Sequence, residues 1–411
     1  MGILDLNYDT LAAICAFLRA SDALSLALAC RALAPAALAR VAVRVACTSP
    51  THLFQASRVL VRSSRPDAEP RARHVRSLRV TLEAMGRPGA GSVADVAGLV
   101  CAVRGAASIA VPLAAIVHDR PGAATATDPP ARRALGEMRN LVRLELGWYD
   151  ARVLGVLRGL PPRLEVLVLD AGARDRPVPT LREVLCALGG VRASLRALKV
   201  AALTDPPDAD AEGEDGRGLP TFERVGTLYV AQKASPGFDV LGLFPRAEVV
   251  KVLGIALHRA GRELRGVRHL EVVPWNAIRL APRLVRSSLP AEGGGRGAGG
   301  PSEARGAGEA GRDVREGAVR YLHLLGTARA ENTHAFLDAA QAVAPRALQL
   351  VAVLDTGPEF WGALAGAVPR LRCLCLDLRR AVTPLAAGAS AEGMRREAAR
   401  WLVSWLLPME G

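Results

Sequence analysis

Lysine is almost missing from this chain of 411 residues: Lys199, Lys233 and Lys251 are the only three, and the remaining 50 of its 53 basic residues are arginine. With 40 acids the formal net charge is +13, a balance that ordinarily points to nucleic acid or an anionic surface. Here the arginines come with a crowd of Ala, Gly and Pro, all written in GC-rich codons, so genome bias accounts for much of the charge. Cysteine is also scarce. Seven, an odd number, are scattered along the chain, which excludes a disulfide scaffold and fits a reducing compartment. Long apolar runs are lacking too: the stretch 105–117 is broken by Pro112 and falls short of the roughly 20 residues of a membrane helix. The opening MGILDLNYD carries Asp5 and Asp9 and no basic residue, unlike a signal peptide, and Leu6 stands where a myristoylation motif has Ser or Thr. The expectation is a soluble protein of the cytoplasm or nucleus. Its core is not in doubt, because half the residues are hydrophobic and only 23% are charged, well outside the composition of disordered chains.

Motifs for chemistry are equally sparse. No lysine follows a glycine, so a phosphate-cradling Walker loop is impossible, and neither HExxH nor a paired CxxC occurs. Cys373 and Cys375 form a C-x-C with no histidine or second cysteine pair at ligand spacing, and the seven histidines are too dispersed to assemble a triad from sequence. The expectation is a protein without catalytic residues, metal or cofactor.

The first 47 residues have a helical period. Leu11, Ile14, Cys15 and Leu18 make one apolar stripe, on a helix expected to end at Arg19. Ser21 reads as the N-cap of a second helix, with Asp22 in its first turn and Leu24 and Leu28 on one face. Pro35 suits the start of a third, carrying Leu38, Val41, Ala42 and Val45. Three helices in so short a stretch cannot bury all their apolar surface among themselves, so part of it should meet a partner.

The run LNYDTLAAICAFLRASDALSLALACRAL resembles an F-box without gaps, at Leu6, Asp9, Leu11, Ile14, Leu18, Asp22, Leu24, Leu26, Cys30, Arg31 and Leu33. It departs once, with Asn7 where the family usually has proline, which implies a less rigid start to the motif. The resemblance implies packed helices that bind the Skp-type adaptor of a cullin-RING ubiquitin ligase. Leu6, Asn7, Asp9, Leu11, Ile14, Leu18, Leu24 and Leu26 would be the adaptor-binding positions, acting by apolar burial of a helix in a groove.

Beyond residue 70 the chain returns to a six-residue phrase, apolar at positions 1, 4 and 6. Clear copies are VRSLRV from Val75, LVRLEL from Leu141, LEVLVL from Leu164, LRALKV from Leu195, VGTLYV from Val225, VRHLEV from Val267, VRYLHL from Val319 and LRCLCL from Leu371. Weaker ones are AEVVKV from Ala247 and ALQLVA from Ala347. Positions 4 and 6 fall on one side of a strand and position 5 on the other, so the leucines face inward and units must stack to bury them. Residues 152–160, 180–188 and 333–343 read as intervening helices, with Thr333 a candidate N-cap.

This resembles an irregular leucine-rich-repeat solenoid. The expected architecture is α/β: an F-box-like helical domain at 1–47, a linker at 48–74, and a repeat solenoid at 75–389 with a parallel sheet on its concave face. Flexible inserts are expected at 205–218, which carries six acids, and at 291–317, which is glycine-rich, with a capping helix at 390–411. Positions 3 and 5 of the phrases assign Arg79, Arg143, Glu145, Lys199, Tyr229, His269, Glu271, Tyr321 and His323, together with Cys373 and Cys375, to the concave face. Such a face suits an acidic peptide or protein partner. Taken with the F-box resemblance, the chain reads as the substrate-recognition subunit of a Skp-cullin-F-box ligase. A repeat scaffold with no ubiquitin link, and a basic nucleic-acid binder whose affinity falls steeply with salt, are the rivals.

Overall fold

The computed structural model describes residues 6–61, 71–86, 90–117, 129–172, 177–203, 218–232, 240–253, 266–286, 319–353 and 358–379. The expected inserts at 205–218 and 291–317 lie outside these residues except for Gly218, and the expected capping helix at 390–411 lies wholly outside them. The chain divides into two compact units, Met1–Phe244 and Pro245–Gly411.

The first unit begins with helices α1 (Tyr8–Phe17), α2 (Ala20–Ala29) and α3 (Ala34–Ala42). Strands β1 (Arg44–Cys47), β2 (Ser77–Val80), β3 (Ser108–Pro112), β4 (Arg143–Tyr149), β5 (Val166–Gly172), β6 (Ala197–Leu203) and β7 (Thr227–Gln232) follow. Between them run α4 (Pro50–Leu60), α5 (Leu82–Met85), α6 (Ala90–Ala102), α7 (Leu113–Ile116), α8 (Pro130–Glu137), α9 (Val153–Arg158) and α10 (Leu181–Ala187). The second unit holds β8 (Val249–Leu253), β9 (His269–Val272), α11 (Pro274–Arg286), β10 (Tyr321–Ala328), α12 (Thr333–Val343), β11 (Ala347–Val353), α13 (Pro358–Ala367) and β12 (Cys373–Arg379).

Within each unit the strands lie parallel and in the order of the sequence. Each unit is therefore a solenoid-like α/β repeat in which every strand pairs with its immediate successor, the arrangement that the recurring phrase demands. Position 4 of the phrase forms one inward row. Leu78, Ile109, Leu144, Leu167, Leu198 and Leu228 pair in register strand by strand, and none is more than 1% exposed. Val250, Leu270, Leu322 and Leu348 form the same row in the second unit, all at or below 1%, and Leu374 ends it half-buried. Removing each such leucine from water contributes about 1.5–3 kcal/mol.

The structure moves several sequence-based boundaries. The sheet starts at Arg44, so Val45, expected on the third helix, pairs instead with Leu78. The phrase is hidden there because Cys47 stands at position 6. A second hidden copy is β3, where Ile109 and Val111 take positions 4 and 6 within the mostly apolar stretch 105–117, which masks the alternation. The expected linker 48–74 contains α4, capped by the Ser49 hydroxyl accepting from the His52 amide at 3.3 Å. The copy assigned to Ala347 starts two residues earlier, since Leu348 and Leu350 are the pair aligned with Leu374 and Leu376. Among the helices, α1 stops at Phe17 with Leu18 extended, and Arg19, not Ser21, is the α2 N-cap. Ser21 lies inside the first turn, its hydroxyl turned to Asp22 at 3.2 Å. Asn332 precedes α12, and Thr333 directs its hydroxyl back to the Arg329 carbonyl. The expected helix at 180–188 is α10, opened by a capping box in which Thr180 and Glu183 satisfy each other's backbone amides. No helix among the described residues is long and apolar enough to cross a membrane.

Candidate functional site

Three surfaces qualify, two in the first unit and one in the second. The N-terminal helices pack around small side chains, with Cys15, Ala23, Ala36 and Ala37 buried at the centre and Ala12, Leu18, Leu26, Ala27 and Val41 against them. The Arg40 guanidinium ties α3 to α1 by donating to the Leu18 carbonyl at 3.0 Å. The small centre buries few large residues, and five of them in α1 and α2 face water: Tyr8 is 54% exposed, Ile14 39%, Phe17 92%, Leu24 42% and Leu28 81%.

Of the residues expected to meet an adaptor, Ile14 and Leu24 lie on this exposed surface, Leu6 and Leu11 are half-buried, and Asp9 is exposed in the first turn of α1. Leu18 and Leu26 pack into the small core. Asn7 has a local task, because its side-chain oxygen accepts from the Thr10 amide at 2.8 Å and N-caps α1. Sequence reasoning left Phe17 and Leu28 out of the adaptor set, although both were findable: Phe17 is three residues after Ile14 and Leu28 four after Leu24, the spacing of one helix face.

The second surface is the strand face opposite the buried leucines. Position 5 aligns Arg79, Ala110, Glu145, Val168, Lys199 and Tyr229 across β2 to β7. Two ion pairs lie on it. Arg143 meets Glu145 at 3.4 Å, and Lys199 meets Asp170 at 3.2 Å while lying 5.2 Å from the centre of the Tyr229 ring. At the end of β4, Trp148 is 46% exposed with φ +53, a left-handed conformation that strains a bulky residue. It falls beyond the six-residue phrase, so the repeat register did not single it out. The next residue, Tyr149, is buried and donates to the Ala201 carbonyl, and burial, with Asp170 second, pushes its phenol well above the ordinary range.

In the second unit the same positions give two parallel rows. Position 3 aligns His269, Tyr321, Ala347 and Cys373; position 5 aligns Lys251, Glu271, His323, Gln349 and Cys375. Glu271 accepts from both sides, with Lys251 Nζ at 2.5 Å and His323 Nδ1 at 3.3 Å. The His269 and Tyr321 rings lie 4.2 Å apart, and the Tyr321 hydroxyl donates to Gln349. Burial lowers the pKa of both histidines; Glu271 pulls the other way, but the Lys251 ammonium beside it offsets that pull. Burial also raises the pKa of Tyr321, helped by Cys375 and Glu271.

The strand-face residues assigned from the phrase therefore stand side by side within their own units, Arg79, Arg143, Glu145, Lys199 and Tyr229 in the first and His269, Glu271, Tyr321 and His323 in the second. Cys373 and Cys375 are exposed there as well. Among the described residues no three His, Cys, Asp or Glu side chains are grouped to hold a metal. What this arrangement offers chemically is an array of donors and acceptors, several of them ion-paired, with two aromatic spots.

The fold class is thus a parallel α/β repeat. No protein-family model matches the chain, and no curated protein matches it. Among solved structures it is similar to the crystal structure of the Rad7 and Elc1 complex in yeast, at 12% identity over 95% of this chain and 92% of that one, with a TM-score of 0.37. A likeness so slight carries no functional argument.

Proposed function

We propose that the chain is the target-recognition subunit of a Skp-cullin-F-box ubiquitin ligase, with the N-terminal helices on a Skp-type adaptor and the strand faces on a protein target, and no catalysis of its own. The observation that carries this reading is the packing of α1 and α2, in which Cys15 and Ala23 are buried while Tyr8, Ile14, Phe17, Leu24 and Leu28 are exposed. Exposed apolar residues gathered on one small helical segment mark a contact surface. Ile14 and Leu24 are also among the positions through which the segment resembles an F-box. The leucine-rich-repeat reading of the sheet belongs to the same proposal and draws on the register of the phrase.

The test is co-expression with a Skp-type adaptor, wild type beside Ile14→Asp/Phe17→Asp. Both positions are exposed, so the variant should keep the wild-type circular dichroism while losing co-elution. Soluble wild-type chain that does not co-elute would remove the adaptor and leave the scaffold reading.

A further inference from the structure

The residue just ahead of each strand in the second unit is Glu248, Arg268, Arg320, Arg346 and Arg372, and the backbone binds these five into one column. The amide of Arg268 donates to the Glu248 carbonyl at 2.8 Å, Arg320 to Arg268 at 2.9 Å, Arg346 to Arg320 at 3.1 Å and Arg372 to Arg346 at 2.8 Å. All four arginines are exposed. Glu248 closes one end by pairing with Arg268 at 3.8 Å. No carboxylate among the described residues pairs with Arg320, Arg346 or Arg372. The corresponding column of the first unit is different in kind: Arg76, Ala107, Val142, Glu165, Arg196 and Gly226 are joined by the same backbone bonds, and its Arg196 meets Glu165 at 3.6 Å.

We propose that the arginine column of the second unit docks the acidic face of a helix of a protein partner. Guanidinium groups are rigid forks matched to carboxylates, and the Glu248 carboxylate already lies in charge contact with that of Arg268. Neighbouring parallel strands set the arginines about 4.8 Å apart. Acids at i, i+4 and i+8 of a helix stand about 5–6 Å apart, so three successive turns can follow three successive arginines. An extended peptide presents same-side residues about 6.6 Å apart and drifts out of step by the third contact. A nucleic-acid strand would need ring faces beside the charges all along the column; His269 and Tyr321 follow Arg268 and Arg320, but Ala347 and Cys373 follow Arg346 and Arg372. The inference deepens the receptor reading and rests on it for the partner being a target protein. Binding is measured without adaptor, so the two can fail separately.

The experiment uses the full chain and three fluorescein-labelled probes in anisotropy titrations. One is an alanine-based helical peptide with glutamates on one face at every turn, the second an isomer of equal composition with glutamates spread around the helix, the third a single-stranded DNA of equal charge. The one-face helix should bind about tenfold more tightly than its isomer and weaken with salt. Arg320→Ala/Arg346→Ala/Arg372→Ala should abolish that binding, the same three changes to lysine should weaken it, and Arg76→Ala/Arg196→Ala in the first unit should leave it alone. Equal binding of the isomer, tighter binding of the DNA, full affinity in the lysine variant, or no binding at all would each overturn the proposal.

Discussion

The N-terminal helices and the repeat sheet solve the burial problem in opposite ways. In the sheet the largest aliphatic residues are inside, the row from Leu78 to Leu228 being essentially inaccessible, and the polar positions are outside. In α1 to α3 the fully buried centre is Cys15, Ala23, Ala36 and Ala37, with Leu18, Leu26 and Val41 only partly buried against it, and Tyr8, Ile14, Phe17, Leu24 and Leu28 are outside. Small residues let helices approach closely, but each removes little surface from water, so the segment gains little stability from its own core. The lesson is that the size of the side chains at the centre, and not the total hydrophobicity of a segment, decides how much apolar surface it hides.

The contrast can be broken at either end. Leu167→Ala in the inward row should destabilise the chain by about 2–5 kcal/mol, read from chemical denaturation; a loss below 1 kcal/mol would mean that the row collapses around the gap and is not a rigid stack. Ala23→Leu should cost about 1–3 kcal/mol by overfilling the small core between α2 and α3, visible as lost helical signal. If the extra volume were tolerated, the N-terminal core would be loose and not merely small. Thr180→Ala removes the capping box of α10 and should cost about 1 kcal/mol. Phe17→Ser, at a position outside either core, should change stability by no more than about 0.5 kcal/mol while reducing binding of a hydrophobic dye.

Acid sharpens the comparison between units. His269 and His323 have folded pKa values below the ordinary 6.5, so the unfolded chain takes up protons there first. The stability they contribute is present above pH about 6.5 and is lost as the pH falls through the folded values. A pH series from neutral to about 5 should therefore weaken the second unit, and His269→Gln/His323→Gln should flatten that slope. An unchanged slope would assign the acid sensitivity to other groups.

Much of the architecture is legible in the sequence because side-chain alternation along a strand is a local property. Leu144 and Leu146 inside with Arg143 and Glu145 outside follow from period two alone, and so does the whole strand-face assignment. Helix ends were less legible: Ser21 has the chemistry of an N-cap, yet α2 begins before it, because the extended backbone at Arg19 sets where the helix starts. Strands β1 and β3 were illegible, since Ala46, Cys47 and Ala110 carry too little signal and their pairing is imposed by the neighbouring strand.

By itself, then, the sequence determined the repeat, its inward leucines and its outward polar positions, because each depends on residues a few places apart. The tertiary structure decided which residues from distant strands become neighbours. Arg268, Arg320, Arg346 and Arg372 are separated by 26 to 52 residues of chain yet joined by successive backbone hydrogen bonds, since parallel pairing brings the same position of every repeat into one column. It also decided that Leu18 turns inward while Phe17 turns out, which depends on where α3 lies and not on the hydrophobicity of either residue.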